Sequence, residues 1–164
     1  METLHAQIER LCFRSTKAFE DVLAGLYRGI SRPNLDELKQ RLEKAHDLAE
    51  FAQIVKEAIG SAGLLEFLHL DLGAAIRAGS LERPYRMVRI IAGNPMIMRS
   101  MTQRVPAAGS YAPITILIYQ FEGDVSVCYD TLESLLALYD NPEASQIAND
   151  LDKKVIALIE RAVK

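Results

Sequence analysis

No run in this sequence approaches the roughly 20 consecutive apolar residues needed to span a bilayer, so no membrane partner is expected. Cysteine is scarce: 164 residues hold two, Cys12 and Cys128. A disulfide framework of the secreted kind needs more cysteines and a secretory leader. The opening Met1-Glu-Thr-Leu-His5 has neither a basic segment nor an apolar one. The two cysteines fall in strand-like runs and read as buried thiols in a reducing compartment; the expected location is cytoplasmic. Histidine is as sparse. His5, His46 and His69 form no H-x-x-x-H pair, and the cysteines form no C-x-x-C, so neither a metal nor a cofactor is expected. Ser100, Ser110 and Ser126 sit in no G-x-S-x-G motif, and no Gly-rich phosphate cradle with its lysine is present. These residues leave open whether the chain is an enzyme.

A strong charge bias is also missing. Lys and Arg number 19 against 22 Asp and Glu, a net charge of −3. Binding nucleic acid takes a local excess of cations to neutralise phosphates, so no nucleic-acid partner is expected. Arg83, Arg86 and Arg89 are close in sequence. Strand alternation puts Arg83 and Arg89 on one face and Arg86 on the other, so they make no basic stripe.

What is present is the balance of a globular protein: 49% hydrophobic and 25% charged residues. A domain of this length buries roughly 70% of its unfolded surface, and 1–164 reads as a single domain. The organising stretch is Pro84–Asp130. It reads as strand (Tyr85–Ala92), helix opened by Asn94-Pro95, strand (Ile114–Phe121), tight turn (Glu122-Gly-Asp124) and strand (Val125–Tyr129). Ile114–Phe121 is apolar at both parities, which suits a central strand. Leu4–Phe13 and Leu64–Leu70 complete a predicted five-stranded sheet. Phe19, Val22, Leu23, Leu26 and Ile30 follow helical spacing, ended by Gly29 and Ser31-Arg-Pro33. In Asn34–Ile59 apolar residues recur at three- and four-residue steps throughout, which predicts one long amphipathic helix capped by Asn34. Its stripe could pack on its own sheet or on a partner. Short helical segments are predicted at Asp71–Gly79 and Thr131–Tyr139, and Asn141-Pro142 opens a last helix. Met87, Met96, Met98 and Met101 read as packing residues. The predicted class is α+β: an antiparallel-rich five-stranded sheet covered by helices, with the extra long helix at 34–59.

Four blocks resemble the domain of unknown function 302 family. Ala18–Ile30 (AFEDVLAGLYRGI) is similar to its opening helix, and Leu68–Gly79 (LHLDLGAAIRAG) to its strand-to-helix block. Pro84–Pro95 (PYRMVRIIAGNP) resembles its tyrosine-strand-asparagine-proline block. Ala112–Tyr119 with Gly123–Tyr129 resembles its terminal hairpin. Many members carry cysteine before the Asn-Pro and again after a proline at the hairpin strand; here those places are Gly93 and Ile114. The resemblance implies helices covering an antiparallel sheet, often in a dimer, and no established reaction.

Candidate site residues follow from position. His69 and Asp71 share a strand face and could form an oriented acid–base pair. Asn94 opens a helix whose free N–H groups could take an anion, with Arg86 or Arg99 nearby. The leading expectation is a cytoplasmic binding or interaction domain that pairs with a second copy of itself. The alternative is a small enzyme or ligand sensor binding a small anionic molecule at His69, Asp71, Arg86, Asn94 and Arg99. The homodimer is expected from supply: the apolar sheet residues and the 34–59 stripe exceed what one chain must cover.

Overall fold

The structure is a computed structural model that describes residues 3–78 and 86–164. Arg83, Pro84 and Tyr85 lie outside the described residues. In chain order the elements are β1 (Arg10–Ser15), α1 (Phe19–Tyr27), β2 (Ile30–Ser31), α2 (Leu35–Glu43), α3 (Leu48–Ala58), β3 (Leu64–Asp71), α4 (Gly73–Ala78), β4 (Arg86–Gly93) and α5 (Pro95–Thr102). There follow a 3-10 turn (Pro106–Ser110), β5 (Ile114–Phe121), β6 (Asp124–Asp130), α6 (Leu132–Leu136), a second 3-10 turn (Ala137–Tyr139) and α7 (Pro142–Val163). Among the described residues no helix is long and apolar enough to cross a membrane.

The class is α+β, as expected, but the sheet has six described strands in the order β1-β6-β5-β4-β3-β2. The strand missing from the five-stranded expectation is β2, two residues that run parallel to β3; every other pairing is antiparallel. Gly29 and Ser31 do end α1, yet Ile30 enters the sheet and is buried instead of closing the helix. β1 also starts later than Leu4, because only Arg10–Ser15 finds a partner, in β6. The β5–β6 turn has Glu122 and Gly123 at φ 52° and 98°. Positive φ at both central residues is the type I′ geometry, whose twist suits a two-residue hairpin.

The core lies on one face of the sheet. Val88, Ile90 and Ala92, then Ile114, Ile116 and Ile118, then Val125, Val127 and Tyr129 point into it, against α1, α5, α6 and above all α7. Gly25 lets α1 approach α7 closely: a Cβ there would lie 2.8 Å from the Ala162 Cα. Asp152 of α7 is 4% exposed. Its carboxylate accepts from the Tyr129 hydroxyl (2.5 Å) and from the Leu132 and Glu133 N–H groups (2.8 and 2.9 Å), so it caps α6 from another helix.

The single helix expected over 34–59 is two. Asn34 caps α2 as expected, accepting from Asp36 and Glu37 N–H. The chain then breaks at residues 44–47, and Asp47 caps α3 through the Glu50 N–H. The two helices fold against each other, and Leu38 and Ile54 pack with Leu65 and Phe67 of β3. Leu38, Leu42, Ala45 and Ile59 of the stripe are therefore used within the chain, on the sheet face opposite the main core, while Leu35 and Leu48 stay exposed.

The cysteines also differ from the expectation. Cys12 and Cys128 are a disulfide, not two thiols. They are directly opposed in the β1–β6 register, with Cα atoms 4.2 Å apart, the spacing of a non-hydrogen-bonded pair in which side chains approach closest.

Candidate functional site

The antiparallel register arranges the outer sheet face in rows. One row runs Leu70, Arg89, Leu117, Cys128, Cys12 across β3, β4, β5, β6 and β1. The next contains Met87, Tyr119, Ser126 and Arg14. The α2–α3 pair packs on this face at Leu65 and Phe67. The 3-10 turn at Ser110 and α6 wall the other side, leaving a groove of about 480 Å³ floored by Met87, Leu117 and Cys128 and bordered by Tyr111, Leu72 and Leu135. That volume suits a small organic molecule.

Among the described residues three charged groups line the groove: Arg10, Asp130 and Arg89. The Arg10 guanidinium grips Asp130 with two hydrogen bonds (2.6 and 2.8 Å) and holds that carboxyl below its usual range. Arg89 makes a single 3.4 Å hydrogen bond, to Thr115 Oγ1, and no ion pair among the described residues. Among the described residues the groove thus pairs an apolar floor with one uncompensated cation. Arg89 and Arg86 leave β4 on opposite faces, as alternation predicts.

A second concavity opens on the helix side of the same sheet end. His69, Asp71 and Arg86 meet there with Arg77, Phe19 and Leu23 around about 390 Å³. Each polar group already has a partner. Asp71 accepts from Arg77 (2.5 Å) and from the Ala74 N–H (3.0 Å), and Arg77 lowers its pKa. Arg86 pairs with Glu20 and lies over the Phe19 ring. The Tyr27 hydroxyl donates to Glu66 and sits 2.7 Å from His69 Nδ1. Burial and then Glu66 push the Tyr27 hydroxyl pKa upward, so the phenol stays protonated.

The other two predicted site residues stand apart. Asn94 caps α5, accepting from Met96 N–H (2.9 Å) and Ile97 N–H (3.4 Å), while its amide donates to Gly63 O (2.9 Å). It borders a small apolar cavity of about 220 Å³ with Met98, Met101 and Pro113. Arg99 points elsewhere, toward Gln103 and a hollow beside Phe51. Sequence reasoning missed Arg89 and Cys128 as groove residues. Alternation alone places both on the outer face, but which strands stand side by side is not a local property.

The arrangement of sheet and helices is shared with a solved structure. A crystal structure of a conserved DUF302 protein from Bacillus stearothermophilus superposes with a TM-score of 0.66, at 15% identity, over 93% of this chain and 97% of that one. No curated protein matches the sequence. The family model for the domain of unknown function DUF302 matches residues 38–162. That span covers most of the chain, from α2 to the end of α7, and the chain belongs to the DUF302 family, which has no known reaction.

Proposed function

We propose that the chain is a cytoplasmic binding domain that takes a small, partly apolar anion in the outer groove and works as a homodimer. The observation that carries the reading is Arg89, a cation without an ion-pair partner among the described residues, at the edge of an apolar floor. A carboxylate or similar head on Arg89 gains charge-assisted hydrogen bonds, while the body of the molecule covers Met87 and Leu117. Calorimetric titration with a medium-chain fatty acid tests it. Arg89→Gln is expected to weaken binding about tenfold, the loss of one charged hydrogen bond. If Arg86→Gln weakens binding instead, the ligand sits at His69 and Asp71, the enzyme-or-sensor alternative.

The dimer reading is supported by the β3–β4 half of the same face. Leu68 is 48% exposed there and lies opposite Ile91 in the register. Apolar side chains grouped on an uncovered sheet face suit a two-fold contact. Leu38 is not the place to probe it, because Leu38 packs against Ile54 and Leu65 of its own chain. Light scattering at micromolar concentration is expected to give twice 18.3 kDa, reduced toward the single mass by Leu68→Glu. A wild-type mass of one chain removes the dimer.

A further inference from the structure

The groove and the disulfide share a wall. Cys128 lines the groove and is 8% exposed, while Cys12, across the strand pair, is exposed. On β1 the residues two before and two after Cys12 are Arg10 and Arg14, which share its face. Arg10 is shared with Asp130; Arg14 has no ion pair among the described residues. A thiolate is stabilised by neighbouring guanidinium groups, and a better-stabilised thiolate leaves faster in thiol–disulfide exchange. The two sulfurs are therefore unlike: one faces a ligand-sized groove, the other is exposed with Arg10 and Arg14 two residues to either side on the same strand face.

We propose that Cys12–Cys128 is a reducible disulfide that exchanges with a small anionic thiol seated in the groove on Arg89. This rests on the groove reading above and gives the bound anion a reaction. The incoming thiolate attacks Cys128 Sγ; the Cys12–Cys128 bond breaks and Cys12 leaves as a thiolate between Arg10 and Arg14. A second thiolate attacks the ligand sulfur of the mixed disulfide and releases the Cys128 thiolate. Two thiols become one small disulfide, the protein disulfide takes up two electrons, and the protein thiolates take protons from water. A disulfide in a reducing compartment is ordinarily of this transient kind.

The test uses the intact native protein and three reductants of different charge: glutathione (anionic), mercaptoethanol (neutral) and cysteamine (cationic), compared per thiolate. Glutathione is expected to react about tenfold faster than cysteamine, with the trapped adduct on Cys128. Arg89→Gln removes that preference, and Arg14→Gln slows all three alike. A disulfide that survives all three in the folded protein, an adduct on Cys12 alone, or one rate for all three thiols overturns the proposal. S-methylglutathione, which cannot react, separates the two levels. If it binds in an Arg89-dependent way while exchange shows no charge preference, the groove stands and the disulfide chemistry falls. If it does not bind and exchange is also indifferent to charge, both fall.

Discussion

Asp152 shows how much one side chain can organise. Its carboxylate ties β6 to α7 through Tyr129 and starts α6 through two backbone N–H groups. Asp152→Ala leaves the Tyr129 hydroxyl and a helix start without an acceptor, and is expected to destabilise by about 3 kcal/mol in urea unfolding. The pH behaviour of two aspartates has opposite sign. Asp130 has its pKa depressed by hydrogen bonding to Arg10, so its stabilisation holds above the unfolded value of about 3.9 and is lost as pH falls through the folded value. Asp152 has its pKa raised by burial, so its contribution is present below the unfolded value and lost as pH rises through the folded one. Thermal melts taken from neutral pH into the acid range are expected to fall less for Asp130→Asn than for the wild type. Neither role was legible in the sequence, since both depend on partners 19 or more residues away. The Asn34, Asn94 and Asn141 caps were legible, because a cap acts within three residues.

The clearest departure among the elements is the break between α2 and α3. Apolar spacing continues across residues 44–47, so periodicity alone reads one helix. A local signal was available: Asp47 followed by Glu50 has the spacing of an acidic capping box, although Glu50 reaches back to the His46 N–H, one residue before the cap. Asp47→Ala is expected to cost about 1 kcal/mol and to speed amide exchange in α3. At the α1–α7 crossing two effects compete in Gly25→Ala. Helix propensity favours Ala by about 1 kcal/mol. Against it, the new Cβ meets Ala162 backbone at 2.8 Å, and forcing packed helices apart costs about 1–3 kcal/mol. Overpacking is expected to win, with a lower urea midpoint. Four of the strands were placed from sequence near their observed positions, because β-rich alternation is local. β2 escaped because two residues carry no period, and β1 was set too early because apolar residues at both parities extend beyond its pairing with β6.

At the level of the molecule, the sheet is packed on one face and partly open on the other, and the sequence implied the surplus of apolar surface without saying where the open part lies. His69, Asp71 and Arg86 came together as a cluster; Asn94 and Arg99 did not, because the face shared along one strand is local while the helices placed around it are not. The disulfide joins residues 116 apart, and closing so long a loop restricts the unfolded chain. Replacing both cysteines by serine is expected to lower stability by about 2–5 kcal/mol, within the roughly 5–15 kcal/mol of an ordinary domain, so the reduced form should remain folded by circular dichroism. The strand order also bears on synthesis. β1 is made early, yet among the described residues its only sheet neighbour is β6, and α1 waits for α7 to cover it. At roughly 5–20 residues per second, the separation of 116 residues from Cys12 to Cys128 takes roughly 6–23 s to emerge. Through that interval Leu11 and Phe13 lack their place in the sheet and Cys12 is a free thiol, so the nascent chain, unlike the finished protein, is open to chaperones and to oxidation at a single exposed sulfur.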